Sequence, residues 1–197
     1  MIWFMSVALA GTAAPCSDSA QMAQDNARLR ELFNEDAEDR ASRSPNVYKN
    51  DIKRAKELVG MQEAGRICTA LDQYLAAATL QHSQEPDQIK VAYDMALAAM
   101  NGHAENSAWL VAQIFDRYKV ARGLAQWYGT QFSIRDGKKC IFEVDPTATD
   151  DERKLHGIAS ITETYTTFLA ESGKAGYEPT TEILVRYNLQ CESKAWR

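Results

Sequence analysis

Residues 69–121 read TALDQYLAAATLQHSQEPDQIKVAYDMALAAMNGHAENSAWLVAQIFDRYKVA. Alanine recurs throughout, and alanine both favours the helix and lets helix axes approach closely. The apolar residues fall into three runs at helical spacing. Leu71, Tyr74, Leu75, Ala78 and Leu80 predict a helix over Thr69 to His82. Pro86 opens the next, because a first turn has no use for the missing amide. Ile89, Ala92, Tyr93, Ala96, Leu97 and Met100 carry it to Met100, where Asn101-Gly102 reads as a left-handed stop. Ala108, Val111, Ala112, Phe115 and Tyr118 share one stripe of a helix over Ala104 to Ala121, ended by Gly123. The fold class that follows is mainly α, with antiparallel, repeat-like helical hairpins.

Working toward the N-terminus, Asp51 to Gln62 reads as a helix with Ile52, Ala55, Leu58 and Val59 on one face. Ser42 to Asn50 contains Ser44-Pro45-Asn46 and reads as a loop. An earlier helix should start near Ser17 or Ser19 and pass through Leu29, Leu32 and Phe33 to Arg40, with Glu35 to Arg40 as its solvated end. Toward the C-terminus the pattern changes at Gly123. Tyr128 to Arg135 alternates β-formers, Asp136-Gly137 is a turn, and Cys140 to Val144 is a second strand. A small β-hairpin is therefore expected near residues 131–144. Thr149 and Glu152 form a capping box for a short helix ending at Gly157. Helices are expected over Ser160 to Ser172 and Thr180 to Lys194, although the Thr-rich Ile161 to Phe168 also suits a strand.

The chain has 197 residues, is 45% hydrophobic and 25% charged, and carries a formal net charge of −5. That balance describes a globular chain and excludes a disordered or collagen-like one. Its mild acidity argues against a nucleic-acid platform, which needs a basic stripe. Met1 to Ala14 has no charged side chain and is too short to span a bilayer. It suits a signal peptide with an uncertain cleavage site, ahead of one domain over 17–197; a buried N-terminal helix is the alternative. The expected locale is periplasmic or secreted, with the cytoplasm as alternative, and no stable membrane insertion after cleavage.

Cys16, Cys68, Cys140 and Cys191 lack the close spacing of a zinc or redox motif. In an exported chain they permit two disulfides with three connectivities. Cys16–Cys68 and Cys140–Cys191 are the favoured pairs, the latter tying the hairpin to the last helix. In a cytosolic chain they would be small core residues instead.

Ala77 to His82, Pro86, Ala92, Ala96, Ala98-Ala99, Gly102, Ala104 and Leu110 are together similar to a helical-repeat hairpin of the Sel1-like or tetratricopeptide kind. A second likeness begins at Trp109. Asp116-Arg117-Tyr118, Gly123, Gln126 and Tyr128-Gly129-Thr130-Gln131-Phe132 resemble the signature of a bacterial helical domain family. That family is marked by an Ala-rich "QH" helix pair, matched here by Gln81-His82, followed by "DR–Y…G–Q–YGTQF". The resemblance covers about residues 65–157. It implies a mainly helical, often exported bacterial domain, and no substrate or catalytic residue.

His82, Asp116 and Arg117 are the side chains most able to carry chemistry. Neighbouring helix residues point apart, so Asp116 and Arg117 each need a separate partner. One reading has them fix the Gln126–Gln131 loop by bonds to backbone groups. The other is a polar pocket of His82, Asp116, Arg117, Gln126, Tyr128 and Gln131, with His82 as general base and Arg117 as anion clamp. Gly129 allows positive φ, so the amides of Thr130 and Gln131 offer an anion nest, or Gly129 merely turns the chain. Trp109 reads as core, and Trp127 as a ligand-stacking candidate. His82, His103 and His156 show no metal-ligand spacing, and Asp145, Asp150, Asp151 and Glu152 suit a helix start better than a Ca²⁺ loop. No metal or cofactor is expected.

The function expected from these observations is a binding or structural module for a protein or cell-envelope partner, with Gln126, Trp127, Tyr128, Gly129 and Thr130 as its binding candidates. The alternatives are a hydrolase using His82, Asp116, Arg117 and Gln131, and an immunity or antagonism protein.

Overall fold

The computed structural model describes residues 15–135 and 138–191. A short 3-10 turn at Pro15–Ser17 leads into α1 (Ser19–Ala41) and α2 (Val47–Glu63). The Ala-rich stretch forms α3 (Ala70–Leu80), α4 (Pro86–Asn101) and α5 (Ser107–Ala121). An antiparallel pair, β1 (Phe132–Arg135) and β2 (Lys138–Ile141), precedes α6 (Asp150–Leu155), α7 (Ile161–Glu171) and α8 (Thr181–Arg186). The protein is thus mainly helical with one small hairpin. The expected signal segment, Met1 to Ala14, and the Asp136-Gly137 turn lie outside the described residues.

Helix α4 is the centre of the stack, with α3 on one side and α5 on the other, while α1 and α2 pack against α3. Alanine makes this spacing possible: Ala76, Ala77, Ala92, Ala96, Ala99 and Ala112 are wholly buried at the helix contacts. Leu29, Leu32, Leu58, Leu80, Ile89, Met95, Leu110 and Ile114 fill the layers between. A second core joins Ile141 to Tyr165, Phe168, Leu169, Leu184 and Leu189. Side-chain caps start most helices: Asp18 for α1, Thr69 with Asp72 for α3, Thr149 with Glu152 for α6, Ser160 with Glu163 for α7 and Thr180 for α8. The Thr-rich segment is therefore helix, its period set by Tyr165, Phe168 and Leu169 facing inward.

Cys16 is bonded to Cys68 and Cys140 to Cys191. The first ties the start of α1 to the approach of α3; the second ties β2 to the segment that follows α8. Several expectations need correction. Helix α2 begins at Val47, before Asp51, because the Ser44 to Asn46 turn is shorter than the polar run suggested. Ile52 points to solvent while Asp51 and Arg54 turn inward. Trp109 and Leu71 are also substantially exposed. Helix α8 stops at Arg186 and does not continue to Lys194; Asn188 takes φ 55°, and Ile141 of β2 exchanges backbone bonds with Leu189 and Cys191. The disulfide therefore joins the hairpin to an extended segment after the last helix.

Gly102 is not a left-handed cap, since its φ is −84° and the left-handed residue is His103. Glycine is needed for a different reason: a Cβ there would lie 2.5 Å from the Ala70 Cβ, where α3 begins against the end of α4. Gly102→Ala should cost about 1–3 kcal/mol by overpacking. Urea unfolding would measure this, and adding Ala70→Gly should recover part of the loss.

Candidate functional site

Helix α5 divides the sequence candidates between its two faces. On one face Asp116 is 0% exposed and meets the Gln126–Gln131 loop. Its Oδ1 accepts the amides of Trp127 at 2.6 Å and Tyr128 at 2.8 Å. Its Oδ2 accepts the amide and the hydroxyl of Thr130, both at 2.9 Å. Gly129, at φ +77°, lets the chain curl so that these donors converge. Of the two amides expected to form an anion nest, that of Thr130 meets the protein's own Asp116 carboxyl, while that of Gln131 goes to the Gln126 side chain. Burial raises the Asp116 carboxyl above the ordinary aspartate range, and the donors from Thr130, Tyr128 and Trp127 pull against that rise.

The loop carbonyls are held from the opposite side. Arg153 of α6, buried to 1% exposure, donates to the Tyr128 carbonyl and, at 3.2 Å, to that of Trp127. A Cβ on Gly129 would lie 3.1 Å from the Arg153 guanidinium, so the close approach of arginine also favours glycine here. Gln126 completes the brace. Its Nε2 donates to the Gln131 and Phe142 carbonyls at 3.1 and 2.8 Å, and its Oε1 accepts the Gln131 amide at 2.7 Å. Gln131 in turn donates to the Gln113 carbonyl at 3.1 Å. The Tyr128 ring stands edge-on to Phe115 and His156, and Lys119 lies over the Trp127 ring at 5.3 Å.

The other face of α5 carries Arg117 toward a second network. Asp36, Asp51 and Arg54 are 6%, 4% and 5% exposed, deep between α1 and α2. Arg54 donates to Asp39 and Asp51 at 2.7 Å and to Asp36 at 3.3 Å; Arg40 donates to Asp36 and Asp51 at 2.9 Å. Glu35 to Arg40 is thus not simply a solvated helix end, because α2 lies over Asp36 and supplies its partner. His82, just after α3, comes within 3.6 Å of Asp36. Burial holds its pKa well below the usual 6.5, and the positive charges of Arg117, Arg40 and Arg54 add to the effect. Burial also pushes the Arg117 guanidinium down to about 10; Arg40 adds to this, and Asp36 and Asp51 oppose it. Opposite charges packed this way offset their desolvation through mutual hydrogen bonds.

The structure therefore brings His82 and Arg117 into one network and Asp116 and Gln131 into another. Residue reading missed Asp36, Arg40, Asp51, Arg54 and Arg153. The only sequence signal for the first four is charge at positions where helical periodicity calls for a buried face. Between α1 and α2, above Arg54, runs a groove of about 470 Å³ lined by Arg28, Leu32, Glu38, Asp39, Lys53 and Glu57 among others. Among the described residues no group of three or more His, Cys, Asp or Glu is placed to hold a metal ion, and no helix is long and apolar enough to cross a membrane. Compared with family models, curated proteins and solved structures, the chain matches none of them.

Asp116→Asn would turn an amide group toward converging donors, and should cost about 3 kcal/mol or more. Tyr128→Ala and Gln131→Ala should lower the melting temperature as well, and thermal unfolding of all three variants tests the brace. A histidine kept neutral by the fold favours the unfolded chain once protons are available. Stability should therefore fall as pH drops below about 6.5, by at most about 1.4 kcal/mol per unit for this group. His82→Gln should flatten that slope between about pH 6.5 and pH 5, read by urea unfolding across the range.

Proposed function

We propose that the protein is an exported binding module that engages a protein or cell-envelope partner through its helical body. The observation that carries this reading is the state of Asp116. A carboxylate already accepting from Trp127, Tyr128 and Thr130 is organised as a structural tie. Gln131 and Gln126 are likewise bonded to backbone groups. The alternative of a hydrolase would need His82, Asp116, Arg117 and Gln131 around one substrate, and their division across α5 speaks against it. Stacked helical hairpins with short connections are suited to presenting a groove to a partner. The two disulfides suit an oxidising compartment. The likeness to the "DR–Y…G–Q–YGTQF" bacterial family and to helical repeats agrees with this reading. An immunity or antagonism protein would be a special case, its partner being a toxin.

Chemical cross-linking in cells expressing the exported chain, followed by purification from the envelope fraction, tests the proposal. A discrete adduct that survives His82→Ala is expected. Turnover of an envelope component by the purified chain, abolished by His82→Ala in a folded protein, would overturn it.

A further inference from the structure

Strand β1 forms one edge of the hairpin, and its backbone pattern leaves that edge open. In β2, Ile141 turns its backbone away from β1: its amide donates to the Leu189 carbonyl at 2.9 Å, and its carbonyl accepts the Cys191 amide at 2.8 Å. Phe132 stands opposite Ile141, and the Phe142 amide donates to the Gln131 carbonyl at 3.3 Å. Hydrogen-bonded and non-bonded pairs alternate along an antiparallel ladder. Ser133 therefore exchanges bonds with Cys140, whereas the amides and carbonyls of Phe132 and Ile134 point to the outer edge. Among the described residues nothing bonds to those groups.

The side chains show the same opening. Phe132 and Ile134 share a face with Ile141, since alternate residues of a strand and their cross-strand partners lie on one side. Ile141 is 3% exposed in the second core, but Phe132 and Ile134 are 50% and 64% exposed. The apolar layer over Phe168 and Leu169 thus runs outward through β1 and stops uncovered. Lys139, across from Ile134, lies over the Phe132 ring at 4.2 Å and is bonded to Glu171, so its charge is held inside the lobe. Edge strands are usually blunted by an outward charge, a bulge or a proline. Phe132, Ser133 and Ile134 supply no charge and no proline.

We propose that this edge pairs with β1 of a second copy of the chain, antiparallel about a two-fold axis, so that the two hairpins join into one four-stranded sheet. The strand is its own complement. With Ser133 of both copies at the axis, Phe132 of each copy meets Ile134 of the other, and the outward amides and carbonyls bond each other. The same register sets each aromatic ring beside a β-branched side chain, a stabilising cross-strand pair. Serine is small enough for the axis, where facing Cα atoms come closest. A slip of two residues would set Ile134 against Thr130, whose amide Asp116 already holds. An unrelated extended segment would close one open edge, whereas a second copy closes two with a single contact. Because β1 has only four residues, the contact is small and the dimer reversible.

Sedimentation velocity of the full oxidised chain, from roughly 5 to 500 µM, tests this in the range expected of a small interface. A monomer–dimer equilibrium is expected. Phe132→Lys with Ile134→Lys should weaken it at least about tenfold, while Tyr48→Lys with Ile52→Lys, an equal charge change at exposed apolar residues of α2, should not. A second measurement reads the register. Phe132→Cys and Ile134→Cys chains, mixed under mild oxidation, should form a disulfide-linked dimer several-fold faster than either chain alone, because each position faces the other across the axis. A chain that stays monomeric throughout, a dimer equally weakened by both lysine pairs or by neither, or cross-linking no faster in the mixture would overturn the proposal.

Discussion

The Asp116 carboxylate is the constraint on which the two parts of the molecule depend. A loop running from a helical stack to a hairpin exposes a series of backbone donors and acceptors, and burial makes each one costly if unmet. Asp116 takes the donors from the α5 side, and Arg153 meets the acceptors from the α6 side. Gln126 supplies the remaining bonds, standing in for a strand neighbour. Because the two charges come from different elements, the loop is also the joint that fixes the C-terminal lobe against the stack. The Cys140–Cys191 bond reinforces that lobe from its far edge.

The second network has a different logic. Asp36, Asp51, Arg40 and Arg54 place ionic groups where a hydrophobic seam between α1 and α2 would otherwise continue. Across this seam Arg40 and Arg54 bond to carboxylates of both helices, which keeps the buried charges paired. His82 joins it with a pKa held well below the usual 6.5 by burial first and by the nearby guanidiniums second. Arg54 belongs both to this seam and to the groove above it, so the groove's shape depends on the seam.

These two networks account for the polar residues that looked most like chemistry. The groove between α1 and α2 that faces solvent is lined by Glu38, Asp39, Lys53 and Glu57 among others.

The sequence alone determined the helical class, the positions of α3, α4 and α5, the hairpin and the capping box of α6. Each of these rests on contacts within a few residues: alanine and leucine spacing, Pro86 in a first turn, Thr149 bonded to Glu152. It also pointed to Asp116 as a residue needing a partner in the Gln126–Gln131 loop. Only the tertiary structure decided that Asp36 and Asp51 are buried, that Ile52 and Trp109 are exposed, and that α8 ends at Arg186. Those outcomes turn on which helix lies across which face, and on the backbone bonds of Ile141 to Leu189 and Cys191. The role of Gly102 was hidden for the same reason. Its constraint is the Ala70 methyl group, more than thirty positions away along the chain and in contact only after α3 folds against α4.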